Sequence, residues 1–279
     1  MIRTCLQLSV RDLQLDVEVC GDPAGEPVLL LHGFPQCRGA WDQVVPVLAA
    51  AGMRTAAPDQ RGYSPRARPV GAAAYRLPLL AADSLGVLDA LGLDRAHMVG
   101  HDWGAVVAWY LAARHPERVH TLTAISFPHL DAYWQALRTD PEQRRRSRYL
   151  PFFMSPESTA ALLADDAAGL RALFGDAVAP EQVARYLALH TAPGALDATL
   201  NWYRSGSLLD DAEPLGPVRV PTTFVSSDGD LVASPAAVHG TAEQVTASYR
   251  LAMLPGVSHW QPEQAAELVA AEILARAGH

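Results

Sequence analysis

Gly100-His101-Asp102-Trp103-Gly104 decides how this chain is read. It follows the short apolar run Ala96 to Gly100, which reads as a strand buried on both faces, and precedes Ala105 to Arg114, which reads as a helix. A glycine at each end of a sharp strand-to-helix turn lets the two elements pass closely. The central residue then stands exposed at the helix N-terminus, where the dipole favours an anion. In an enzyme that position carries a nucleophile, and here it is a carboxylate. An aspartate is also a common helix N-cap. The turn alone does not separate the two roles; its partners do.

The same alternation extends outward. Leu6, Leu8 and Val10, then Leu13, Leu15, Val17 and Val19, alternate with polar residues around Arg11-Asp12, so Met1 to Val10 and the run after it predict an antiparallel hairpin. Val28 to Leu31 is a buried strand ending at His32-Gly33. An amphipathic segment, Trp41 to Ala51, follows, then a strand at Arg54 to Pro58, the turn Asp59-Gln60-Arg61-Gly62, and a helix over Leu77 to Leu91. Val119 to Ser126, Val220 to Ser227 and Tyr249 to Leu254 read as further strands, and Glu263 to Arg276 as a closing helix. Strands alternating with helices predict an α/β fold with a mostly parallel central sheet flanked by helices. The alternation stops from about Pro128 to Pro217, which predicts a helical cap inserted after the sixth strand. The expected organisation is a core of 1–127 and 218–279 and a cap of 128–217.

Chain order supplies the partners of Asp102. In the strand–nucleophile–helix architecture an acid follows the nucleophile and a histidine follows the acid. Ser226-Ser227-Asp228-Gly229-Asp230 offers the acid, and Gly256-Val257-Ser258-His259-Trp260 the base, both at predicted strand ends where open α/β sheets place ligands. Asp228 and Asp230 compete. Asp228-Gly229 is a turn signal, which favours Asp230 as the functional member.

Composition removes other classes. The 22 basic residues are all Arg, so a Schiff-base lysine, a pyridoxal phosphate site and a Walker phosphate loop are excluded. A net charge of −8 argues against nucleic acid as a partner. Three cysteines, Cys5, Cys20 and Cys37, show neither a disulfide nor a zinc spacing, and the ten histidines form no metal-ligand motif. No metal and no cofactor are expected. No apolar run is long enough for a membrane span, and the N-terminus lacks a signal-peptide profile, so a cytoplasmic protein is expected.

His32-Gly33-Phe34-Pro35, Asp59-Gln60-Arg61-Gly62-Tyr63, Gly100 to Gly104 and His259-Trp260 together resemble the epoxide hydrolases of the α/β-hydrolase superfamily, whose haloalkane dehalogenase relatives share part of the set. The resemblance implies an α/β-hydrolase fold. It also implies an enzyme that opens an epoxide to a vicinal diol through an alkyl ester on Asp102, hydrolysed by water that His259 and Asp230 activate. Asn201-Trp202-Tyr203-Arg204 and Arg148-Tyr149-Leu150-Pro151 are similar to the segments that carry the ring-opening tyrosines, which assigns Tyr203 and Tyr149 as acids. Backbone N–H groups of Phe34 and Trp103 are assigned as the oxyanion hole. The implied partners are an epoxide and water; oligomeric state is unread.

Three alternatives stand beside this. Haloalkane dehalogenases share Trp103 but carry Asn where this chain has Phe34. Fluoroacetate dehalogenases match Phe34-Pro35 but have Arg where this chain has Trp103. A non-catalytic ligand-binding protein on the same fold has no need of all three of Asp102, Asp230 and His259. Elsewhere structural readings lead. Arg144 to Arg148 reads as a solvated face. His32 and His101 read as satisfied structural histidines, and Trp134 and Trp202 as cap packing that also walls the site. His129 reads equally as structural or as part of the pocket mouth.

Overall fold

The computed structural model describes residues 3–210 and 213–279; Met1 and Ile2 of the predicted first strand, and residues 211–212 of the predicted insertion, lie outside them. The chain opens as the predicted hairpin, β1 (Arg3–Val10) and β2 (Leu13–Cys20), whose inward residues alternate with outward ones. After β3 (Glu26–Leu31) come α1 (Val44–Ala50), β4 (Met53–Pro58), α2 (Leu77–Ala90), β5 (Ala96–His101), α3 (Trp103–Arg114) and β6 (Val119–Ile125). All six residues of β5 are buried. That matches the uninterrupted apolar runs of strands covered on both faces.

The sheet has eight strands in the order β1-β2-β4-β3-β5-β6-β7-β8, with β7 (Thr222–Ser226) and β8 (Tyr249–Met253) completing it. β2 pairs antiparallel with β1 and β4, and every other pairing is parallel. This is the α/β-hydrolase fold that the resemblance implies. α2 and α3 pack on one face of the sheet, α1 and the final helix on the other.

Between β6 and β7 lie α4 (Leu130–Thr139), α5 (Pro141–Arg146), α6 (Leu150–Met154), α7 (Ser158–Ala172), α8 (Pro180–His190) and α9 (Ala195–Arg204). Among the described residues of this insertion no strand of the sheet forms. Its entry and exit are tied together: Asp131, in the first turn of α4, accepts the N–H groups of Leu215 and Gly216 at 2.7 and 2.8 Å. α7 is broken at Ala164 to Ala167, where Asp165, Asp166 and Ala167 take positive φ.

One predicted amphipathic segment and one predicted helix are divided. The segment from Trp41 to Ala51 becomes a 3-10 turn at Arg38–Trp41 and then α1. Pro46 has no N–H and is tolerated only in a first turn, so the α-helix starts just before it. The closing helix becomes α11 (Gln261–Gln264) and α12 (Ala266–Ala277), after α10 (Pro235–Gly240). The break falls at Ala265, with φ −135°. It lets Glu263 turn towards Gln36 and Tyr186 while Val269, Ala270 and Ile273 lie on the sheet. Among the described residues no helix is long and apolar enough to cross a membrane.

Candidate active site

The residues singled out by sequence converge just beyond the carboxyl ends of β3, β5, β7 and β8, where an open α/β sheet builds its sites. Asp102 lies between β5 and α3 with φ 53° and ψ −119°. Such backbone costs a side-chain-bearing residue roughly 1–3 kcal/mol. The glycines explain how the turn closes. A β-carbon at Gly104 would lie 2.0 Å from the Leu31 carbonyl oxygen, and one at Gly100 would lie 2.2 Å from that of Gly104. One at Gly33 would lie 2.4 Å from the Asp102 side chain. Helix, strand and the loop after β3 touch only because these positions are bare.

Asp102 is 6% exposed. Its Oδ1 accepts the Phe34 N–H at 2.9 Å, and the Trp103 N–H also bonds its carboxylate. Burial raises the Asp102 pKa; His259 and the two N–H groups oppose that rise. Its Oδ2 lies 3.7 Å from His259 Nε2, beyond hydrogen-bond reach. On the far side of the ring, His259 Nδ1 lies 3.2 and 3.3 Å from the two carboxylate oxygens of Asp230. Burial alone would depress His259. The charge and hydrogen bond of Asp230, then the charge of Asp102, outweigh it and hold the imidazole up at about 9. Asp230 is 4% exposed and its carboxyl is lowered, the attraction of His259 overcoming burial. Asp228 is exposed, and its Oδ1 accepts the Gly256 N–H at 2.6 Å. It braces the loop, and Asp230 is the acid that meets His259.

Tyr149 ends a 3-10 turn at Ser147–Tyr149, and Tyr203 lies in α9. Their rings sit 6.4 Å apart, and Tyr203 packs edge-on against Trp103 and Phe34. Both line one cavity with Asp102 and His259, of about 440 Å³, walled mainly by apolar groups such as Phe153, Phe174, Leu231 and Trp260. Burial first, then neighbouring ionisable groups including Asp102, pushes both phenols well above their usual range, so they stay protonated. Among the described residues no cluster of His, Cys, Asp or Glu has metal-holding geometry.

A family model described as alpha/beta hydrolase fold matches residues 26–266. The chain belongs to the alpha/beta hydrolase fold family. It is 32% identical to epoxide hydrolase A of Mycobacterium tuberculosis, over 93% of this chain and 92% of that protein. It is 36% identical to the AB hydrolase superfamily protein YfhM of Bacillus subtilis, over 74% of this chain and 75% of the other. Its fold matches the crystal structure of epoxide hydrolase A from Mycobacterium thermoresistibile with a TM-score of 0.86 at 27% identity, over 99% of both chains. The resemblance read from the motifs thus extends across the whole hydrolase.

Several residues of this α/β hydrolase escape sequence reading. Ser126, just past β6, has Oγ 3.0 Å from His259 Nδ1. Its place at a strand's carboxyl end was the available signal. Arg146 is not the solvated residue that its basic run suggests: it pairs with Glu142 and donates to the carbonyls of Asp230 and Ala233 at 2.7 and 2.9 Å, clamping the acid's loop. Trp202 Nε1 donates to the Arg61 carbonyl at 2.8 Å, and Trp134 Nε1 to that of Leu208 at 2.8 Å. Both tryptophans pack as expected, but neither lines the cavity, and nor does His129, which caps α4.

Proposed function

We propose that this hydrolase opens epoxides to vicinal diols through an ester on Asp102, with 128–217 acting as a cap over a core of 1–127 and 218–279. The observation that carries this reading is the orientation of the Asp102 carboxylate. Oδ1 accepts the N–H of Phe34, while Oδ2 lies on the side of His259, with the Trp103 N–H also bonded to the carboxylate. Oδ2 attacks an epoxide carbon, the carbon–oxygen bond breaks, and the epoxide oxygen takes a proton from Tyr203 or Tyr149. Oδ1 is now the ester carbonyl oxygen and already rests in its oxyanion hole.

Esterification also removes the charge of Asp102, one of the groups that hold His259 protonated. The imidazole gives up its proton to solvent, from which it is regained at the end of the cycle, and serves as base towards water. The water oxygen attacks the ester carbonyl carbon, and the intermediate expels Oδ2 with the diol, protonated by the His259 imidazolium. The proton left on Asp102 restores the tyrosine. No step calls for a cofactor; the substrates are the epoxide and water.

A single turnover in ¹⁸O-water tests this. The first diol released should be unlabelled, and the label should appear in the Asp102 carboxyl. Label in that first diol, with none in Asp102, would mean direct attack by water.

One observation favours a second reading. The Trp103 indole Nε1 is buried next to Asp102 and meets no acceptor within hydrogen-bond distance among the described residues, a donor that a departing halide would use. Release of halide from haloalkanes, without diol formation from epoxides, would make dehalogenation the reaction.

A further inference from the structure

His101, directly before Asp102, is wholly buried, and both of its ring nitrogens face acceptors. Nδ1 lies 2.8 Å from Gln36 Oε1, and Nε2 lies 2.8 Å from the His259 carbonyl oxygen. A neutral imidazole has one N–H and one lone pair, so it can satisfy only one of these. His32 shows the contrast. Its Nδ1 meets the Gly33 carbonyl at 2.9 Å and its Nε2 receives the Gln60 N–H at 3.3 Å, the complement of a neutral ring.

The Gln36 amide cannot relieve His101 by itself. Its Oε1 also accepts the Gly33 N–H at 3.1 Å, and its Nε2 donates to Glu263 Oε1 at 2.7 Å. Turned over, the amide oxygen would meet the Glu263 carboxylate, unless that carboxyl carries a proton. Both ways of joining His101, Gln36 and Glu263 need one proton more than a neutral histidine and an ionised glutamate supply, and the reversed amide also takes the acceptor away from the Gly33 N–H. It sits on His101 with the amide as it stands, or on Glu263 with the amide reversed. Glu263 is suited to hold it: Oε1 accepts the Tyr186 hydroxyl at 2.7 Å, while Oε2 is buried with no partner among the described residues. An unpartnered buried oxygen favours the acid over the carboxylate.

We infer that Gln36 and Glu263 are positioning residues which, through one shared proton, hold His101 against the His259 carbonyl and so fix the seat of the base. The role in the reaction rests on the proposed function; the shared proton does not. The titratable groups around the chain are Tyr186 on α8, whose hydroxyl also accepts from Gln182, and His259, Asp230 and His32 beside His101. Burial holds His32 at about 3 and raises Tyr186, Asp230 is lowered, and His259 is at about 9. Burial raises Glu263 to about 7 and depresses His101 to about 3. Glu263 is therefore the member of this set that changes charge near neutrality.

The test is ¹⁵N NMR of the histidine rings from about pH 5.5 to about pH 8.5, with His101 assigned from its absence in His101→Asn. In the wild type the His101 ring shifts should move with a midpoint near pH 7, and in Glu263→Gln they should stay flat. In single-turnover kinetics Glu263→Gln should leave ester formation unchanged. It should slow ester hydrolysis about two- to thirty-fold and remove the inflection near pH 7 from that step. Wild-type His101 shifts that do not move across the range would overturn the inference, as would shifts that still move in Glu263→Gln. The wild-type titration decides even if the variant does not fold. It needs no epoxide, so its failure and that of the diol reading are separate events.

Discussion

The backbone N–H of Phe34 donates to Oδ1 of Asp102 at 2.9 Å, across a separation of 68 residues. This contact orients the carboxylate before any substrate arrives, and the missing β-carbon of Gly33 makes room for it. A donor that serves the resting carboxylate and then the ester carbonyl needs no rearrangement between the steps.

Asp102→Asn keeps the shape of the side chain and removes the nucleophile. Diol formation should fall by at least about 10⁴-fold. Burial raises the Asp102 carboxyl, so its ionisation opposes folding above the ordinary aspartate range. The variant should therefore melt higher than the wild type at neutral pH. The pKa of His259, measured by NMR, should drop below about 9 because one of the carboxylates that raise it is gone. An Asp102→Asn enzyme with an unchanged turnover rate would sink the mechanism.

Asp228 and Asp230 should separate cleanly. Asp230→Asn removes the negative charge facing His259 Nδ1 and should slow ester hydrolysis by about 10²-fold or more. Asp228→Asn keeps a carbonyl oxygen for the Gly256 N–H and should leave that step within about threefold, since the contact is exposed and away from His259. Rapid-quench kinetics on the two variants check this, and equal losses would contradict the assignment.

Tyr203→Phe and Tyr149→Phe should each slow ester formation and spare ester hydrolysis, because the phenol acts on the epoxide oxygen only. The double variant should lose about 10²- to 10⁴-fold in the first step. Slowing confined to the second step would remove the tyrosines from ring opening.

Tyr203 depends on a tie made elsewhere. Arg61 forms a buried two-pronged pair with Asp83 at 2.6 and 2.7 Å, and its carbonyl accepts from Trp202. Arg61→Met leaves the Asp83 carboxylate buried without its partner and should destabilise the protein by about 3–5 kcal/mol. Trp202→Phe should cost about 1–3 kcal/mol through the unsatisfied Arg61 carbonyl, and should lower the rate of ester formation by shifting Tyr203. Urea unfolding and single-turnover kinetics measure the two effects.

What sequence could reveal depended on how local each signal was. The elbow was legible because Gly100, Asp102 and Gly104 lie within five residues and their sizes state the packing. The sheet was legible because its buried strands are short apolar runs. Asp230 against Asp228 was a preference that only the loop's course could decide. α10 was left unread although Ser234-Pro235 is an N-cap followed by Pro at the first helical position. The Gln36–His101–Glu263 chain was out of reach. Its contacts span 65, 158 and 227 residues, and nothing in the neighbourhood of any one residue marks the others.

The most direct test of the central claim is to trap the ester. His259→Gln, incubated with a panel of epoxides and read by intact mass and peptide mapping, should gain the mass of one whole epoxide on Asp102 and lose it only slowly. A variant that turns epoxide over with no adduct, or that carries the adduct on another residue, would contradict the account.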